Sequence, residues 1–180
     1  MDYEALRHRE AQIRLLTLHS GSGDAIVCCT VENTSLYETP KYYALSYCWG
    51  DPNITEKILV NGSEMRVTTN LEIALRQLRS DGYTTLWIDA LCINQEDQEE
   101  KNLQVLRMKT IYQRAEEVII WLGRGDERSV RSMQFIRDCG SISTVDISES
   151  TLPSRRIDPV TERALNVFIS NDYWKRVWII

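Results

Sequence analysis

The spacing of apolar and polar positions divides the chain into short strands and amphipathic helices. Ile13–Leu18 and Ala25–Val31 read as two strands, joined by a turn through His19, Ser20 and the glycine-containing Gly21-Ser22-Gly23-Asp24. Tyr42–Tyr47 is a third strand, short and largely apolar. Lys57–Val60 and Met65–Thr68 flank Asn61-Gly62, a dipeptide that accepts positive φ at both positions and so favours a tight hairpin. Asn70 stands where an N-cap would open a helix running to Arg79. Leu71, Ala74, Leu75 and Leu78 then share one face, and Asp81-Gly82 ends the helix.

Leu86–Asp89 carries apolar residues on both faces, as a strand covered on both sides does. A long helix is expected from Gln98 to Ala115, with Val105, Met108, Ile111, Tyr112 and Ala115 as its buried stripe. Glu117–Leu122 is the next strand and Gly123 closes it. Ser129–Cys139 reads as a helix, Gly140–Pro159 as an exposed Ser/Thr-rich loop, and Thr161–Ser170 as a helix with Leu165 and Phe168 or Ile169 turned inward. Val177–Ile180 is a last apolar run. The strand–helix rhythm from Tyr42 onward predicts an α/β fold, a mostly parallel sheet with helices on both faces. The first two strands and the hairpin read as additions to that core.

Composition narrows the function classes. A chain of 180 residues, 43% hydrophobic and 26% charged, suits one folded domain. Its net charge of −5 argues against a nucleic-acid partner, which needs a basic face. No stretch reaches the ~18 apolar residues of a membrane span, and the charged start MDYEALRHRE lacks the features of a secretory signal. Cys28, Cys29, Cys48, Cys92 and Cys139 are odd in number and irregular in spacing, which fits reduced thiols in the cytoplasm. With no CxxC pair and only His8 and His19, no metal site is expected.

Two motifs fall at or just beyond strand carboxyl ends, where α/β sheets place their ligand crevice. They are Ser46-Tyr47-Cys48-Trp49-Gly50-Asp51 and Asp89-Ala90-Leu91-Cys92-Ile93-Asn94-Gln95. Both mix hydrogen-bonding side chains with an aromatic ring or a turn, the make-up of a small-ligand site or a partner-binding loop. Several readings stay open. Asp89 either binds a ligand or braces its own loop. Cys92 is either a nucleophile or a buried inert thiol. Glu100 and Gln104, one turn apart, either share a site or belong to a polar helix start. Trp49 either packs or stacks on a planar ligand, and Asn94-Gln95 either orients a ligand or holds loop backbone.

The stretches YYALSYCWGD (42–51), LWIDALCINQEDQEEKNLQVLRMKTIYQRAEEVIIWLG (86–123) and YWKRVWII (173–180) resemble, in order and spacing, the fungal heterokaryon-incompatibility (HET) domain. The resemblance covers most of the chain. It implies one domain over residues 1–180, with 1–41 as an N-terminal β extension and 42–180 as the core. HET domains are themselves similar to TIR domains, which implies a flavodoxin-like sheet. It further implies a role in triggering cell death on non-self contact, through self-association and other incompatibility proteins. Some TIR domains instead cleave NAD at the nicotinamide bond, so NAD is an implied substrate and a nucleotide an implied ligand. On that comparison Ser46, Tyr47, Trp49, Gly50 and Asp51 match a loop lining the nucleotide site. Asp89 to Gln95, with Cys92 and Asn94, match a mobile loop used in assembly and gating. The TIR catalytic glutamate would follow Ile180 and is missing here, which weighs against catalysis and suggests a core cut short. Glu100 is then the best remaining carboxylate, with Asp89 next, for stabilising positive charge developing on a ribose.

Overall fold

The computed structural model describes residues 3–7, 11–140 and 157–175. His8, the interior of the expected 140–159 loop and the apolar run Val177–Ile180 lie outside the described residues. The chain forms two compact units, Met1–Trp121 and Leu122–Ile180.

The first unit is built on one seven-stranded sheet in the order β5-β4-β2-β1-β6-β3-β7. Its strands are β1 (Gln12–Leu18), β2 (Cys28–Ser35), β3 (Tyr43–Tyr47), β4 (Thr55–Val60), β5 (Ser63–Thr68), β6 (Thr85–Trp87) and β7 (Glu117–Trp121). Strands β6, β3 and β7 are mutually parallel. Strand β1 is antiparallel to both β2 and β6, β4 is parallel to β2, and β5 is antiparallel to β4. The sheet is therefore mixed, with the parallel strands β6, β3 and β7 together at one side. The two N-terminal strands and the hairpin continue the same sheet, and β1 occupies its middle.

Residues 13–16 of β1 and 44–47 of β3 are all buried, so the sheet is covered on both faces there. Trp87, fully buried, meets the edge of Tyr112 with ring centroids 5.5 Å apart. Helix α1 (Thr69–Ser80) lies against β4 and β5 and buries Leu71, Ala74, Leu75 and Leu78, the stripe predicted from spacing. Each buried leucine contributes roughly 1.5–3 kcal/mol. Asn61 and Gly62 take φ of +52° and +77°, the positive values that a two-residue hairpin turn demands.

Several boundaries differ from expectation, each for a local reason. Strand β2 starts at Cys28 rather than Ala25. The carbonyls of Gly23, Ala25 and Ile26 instead accept from Arg76 and Arg79 of α1. The N-cap of α1 is Thr68, whose hydroxyl accepts from the Leu71 N–H, and Asn70 is inside the helix. Strand β6 stops at Trp87 because the chain turns into the four-residue helix α2 (Asp89–Cys92). Helix α3 (Gln98–Arg114) buries Glu100, Gln104 and Ile111, whereas Val105 is 51% exposed. The inward face thus opens with two polar residues that have partners inside. Strand β7 leaves Val118 and Ile120 about half exposed.

In the second unit, α4 (Glu127–Gly140) packs on α5 (Pro159–Ile169), followed by a 3-10 turn at Asp172–Lys175. Asp158 caps α5 by accepting from the Val160 and Thr161 N–H groups. Thr161 and Ala164 are its buried residues; of those expected inward, Leu165 and Phe168 are half-buried and Ile169 is 66% exposed.

Candidate functional site

Parallel neighbours deliver their following segments to the same end of a sheet. Tyr43 pairs with Leu86 and Ala44 with Trp87, so the chain beyond β3 and the chain beyond β6 leave side by side. They meet through two of the predicted residues. Trp49 Nε1–H donates to both carboxylate oxygens of Asp89, at 3.2 and 3.1 Å. The Ala90 N–H donates to Asp89 Oδ1 at 2.7 Å. Asp89 is nearly buried at 8% exposure, while the Trp49 ring is 41% exposed.

The Trp49 loop is tied down from below by Asn70, whose role sequence reasoning assigned to a helix cap. Its Nδ2 donates to the Cys48 carbonyl at 2.6 Å and its Oδ1 accepts from Trp121 Nε1 at 3.0 Å. Gly50 has φ of +83°, and a Cβ there would stand 3.3 Å from Asn70 Cβ. A glycine is what this turn tolerates, on both backbone and contact grounds. Asp51 is exposed, and its Oδ1 accepts from the backbone and side-chain nitrogens of Asn53, both at 2.9 Å. It closes its own turn rather than joining Asp89.

On the other loop, Gln95 Nε2 donates to the Asp89 carbonyl at 3.0 Å. The Asn94 N–H donates to Glu100 Oε1 at 2.7 Å. Glu100, 3% exposed, is gripped by Arg14 of β1, with Nη1 at 2.5 Å from Oε1 and Nη2 at 3.0 Å from Oε2. Arg14 escaped the sequence reading, although a lone charge inside Ile13–Leu18 was a visible signal. Gln104 Nε2 donates to the Gln12 carbonyl at 3.0 Å, which explains its place on the buried side.

Ser46 and Tyr47 are buried within β3, beneath the rim rather than on it. Cys92 is buried too, and burial pushes its thiol up to about 12, outside the range where a thiolate attacks at neutral pH. Among the described residues no group of three or more His, Cys, Asp or Glu side chains could hold a metal ion. No described helix is long and apolar enough to cross a membrane. A cleft of about 520 Å³ between α4 and α5 contains none of the predicted residues. A cavity of about 360 Å³ beside Tyr3 and Glu4 is lined in part by Arg14.

The sequence profile of the family "Heterokaryon incompatibility protein (HET)" matches residues 42–180. The chain belongs to the HET family. It is similar to heterokaryon incompatibility protein 6, OR allele, of Neurospora crassa, at 38% identity over an alignment covering 77% of this chain. The chain spans 23% of the length of that relative. No solved structure matches it. The HET match includes both rim segments and Glu100, whereas β1, β2 and the arginine that holds Glu100 precede it.

Proposed function

We propose that this HET domain is the signalling module of an incompatibility protein, acting in the cytoplasm to trigger cell death on non-self recognition. It works by self-association and by recruiting other incompatibility proteins. The observation that carries this reading is the state of the rim carboxylates. Asp89 is bonded to Trp49 and the Ala90 N–H, and Glu100 is held by Arg14 and the Asn94 N–H. A carboxylate that stabilises a developing cation must face the reacting sugar, whereas Glu100 is buried with both oxygens on Arg14 and Asp89 is turned to Trp49 and its own loop. An exposed Trp49 at the rim supports contact with a partner surface. So do Val118 and Ile120 on β7, which pairs with β3 alone among the described residues.

Overexpression of the full-length protein in fungal cells tests the proposal. Asp89→Ala should abolish cell death in protein that, though less stable, still folds and accumulates. A stable Asp89→Ala protein that kills as well as the parent removes the rim from the account.

One observation favours a second reading, a TIR-like NAD glycohydrolase. The parallel strands β6, β3 and β7 stand in the order second, first, third, which is how a flavodoxin-like nucleotide-binding sheet begins. Nicotinamide release from NAD, followed at high protein concentration with this chain and with a longer form, separates the two. Release from either form favours the enzyme, and its absence from both favours assembly.

A further inference from the structure

We infer that Arg14 is a positioning residue for the rim. From outside the matched HET region it fixes the Leu91–Gln95 loop through Glu100, and with it the place of Asp89. The inference rests on the rim being the working site.

The direction of β1 brings this about. Strand β1 runs antiparallel to β6, with Leu16 opposite Leu86 and Thr17 opposite Thr85. Continuing that register places Arg14 level with Ile88, the residue before Asp89. The guanidinium then reaches the loop at two points. Nη1 donates to the Cys92 carbonyl at 3.2 Å and to Glu100 Oε1 at 2.5 Å, and the same Oε1 accepts from the Asn94 N–H at 2.7 Å. The N-terminal segment adds a third hold, since Tyr3 donates its hydroxyl to the Leu91 carbonyl at 3.2 Å. The Tyr3 ring also lies 4.6 Å from the Arg14 guanidinium carbon, and the Glu4 carbonyl accepts from Nη2 at 2.7 Å. Leu91 and Cys92 are thus anchored directly to chain that precedes residue 42, and Asn94 is anchored to it through Glu100.

The loop needs such anchors. Helix α2 has four residues, too few to hold itself by its own hydrogen bonds; burial of Leu91, Cys92 and Ile93 in the core sets its depth, and the bonds from Arg14 and Tyr3 set the direction of its carbonyls. Its side-chain link back to Asp89 is Gln95, whose own position follows from where Asn94 is pinned. A buried ion pair is a poor source of net stability, because apolar residues of like volume often serve as well. What the pair supplies is direction. A planar fork rooted in the central strand sets two loop groups at once.

Hydrogen exchange read by mass spectrometry on the full chain tests this, with Arg14→Lys, Glu100→Gln and the paired Arg14→Met/Glu100→Met. The paired variant removes both charges together, so it keeps the test open where a single change unfolds the protein. Amides 90–95 should exchange at least tenfold faster in each folded variant, while those of α1 stay within twofold of the parent. Cell death by the full-length protein should fall in parallel. A loop that stays protected in a folded variant overturns the positioning role, whatever Asp89 does. Loosening spread evenly over α1 and the loop overturns it as well. A loop that loosens selectively while Asp89→Ala is without effect upholds the positioning role and counts against the cell-death reading of the rim.

Discussion

The link between Trp49 and Asp89 joins the two motifs, and its strength can be measured by a double-mutant cycle. Trp49→Phe keeps an aromatic ring but removes the N–H, while Asp89→Ala removes the acceptor. One N–H shared between two oxygens counts as a single bond, with a net contribution of about 0.5–1.5 kcal/mol. Asp89 is nearly buried at 8% exposure, so the upper end applies, about 1.5 kcal/mol. That lowers Tm by roughly 3–6 °C for a chain of this size in Trp49→Phe. Asp89→Ala costs more, because it also strands the Ala90 N–H. That extra loss recurs in the double variant and cancels in the cycle. Urea titrations followed by far-ultraviolet circular dichroism, for the parent, both single variants and the double, should give a coupling of about 1.5 kcal/mol. A coupling below about 0.3 kcal/mol, the level at which independent sites add, would falsify the claim that the two motifs share a rim.

Cys92 and Cys139 should differ sharply in alkylation. With burial pushing the Cys92 thiol to about 12, roughly one molecule in ten thousand carries the thiolate at pH 8. Exposed Cys139 should label with iodoacetamide while Cys92 does not, and labelling of Cys92 at a comparable rate in folded protein refutes the reading. Acid sensitivity should trace partly to the α5 cap. The Thr161 hydroxyl and then its N–H hold the Asp158 carboxyl below its ordinary range. A depressed folded value contributes stability above the unfolded pKa of about 3.9, which is lost as pH falls through the lower folded value. Asp158→Ala should therefore flatten that part of the acid unfolding curve and weaken the helical signal at 222 nm. An acid limb identical to the parent's contradicts this.

The legible parts were those decided by local rules. The Leu71, Ala74, Leu75 and Leu78 stripe, the Asn61-Gly62 turn and the strand starting near Tyr42 each follow from spacing or from φ demands within a few residues. What escaped depended on partners distant in sequence. Val105 fitted a helical stripe, yet Glu100 and Gln104 took the inward positions because Arg14 and the Gln12 carbonyl wait for them across 86 and 92 residues. Asn70 looked like a cap because Asn commonly caps. Its real partners, the Cys48 carbonyl and Trp121, come from two other strand ends. Trp49 was weighed between packing and stacking. Its bond to Asp89 was invisible because it spans 40 residues.

Strand direction was the decisive quantity that periodicity could not supply. An apolar run reads alike whether its strand points up or down, so β1 and β2 registered as an extension of a parallel core. Antiparallel pairing of β1 with β6 reverses their meaning. Were β1 parallel to β6, its first residues would lie at the opposite end of the sheet and Arg14 could not reach Glu100. Because it is antiparallel, the start of β1 stands beside the carboxyl end of β6, with that of β3 next in the sheet. The rim is therefore assembled from three chain segments, two of one direction and one of the other, rather than from two of one direction alone. It follows that a fragment beginning at residue 42 would keep both sequence motifs yet lose the strand that aims one of them.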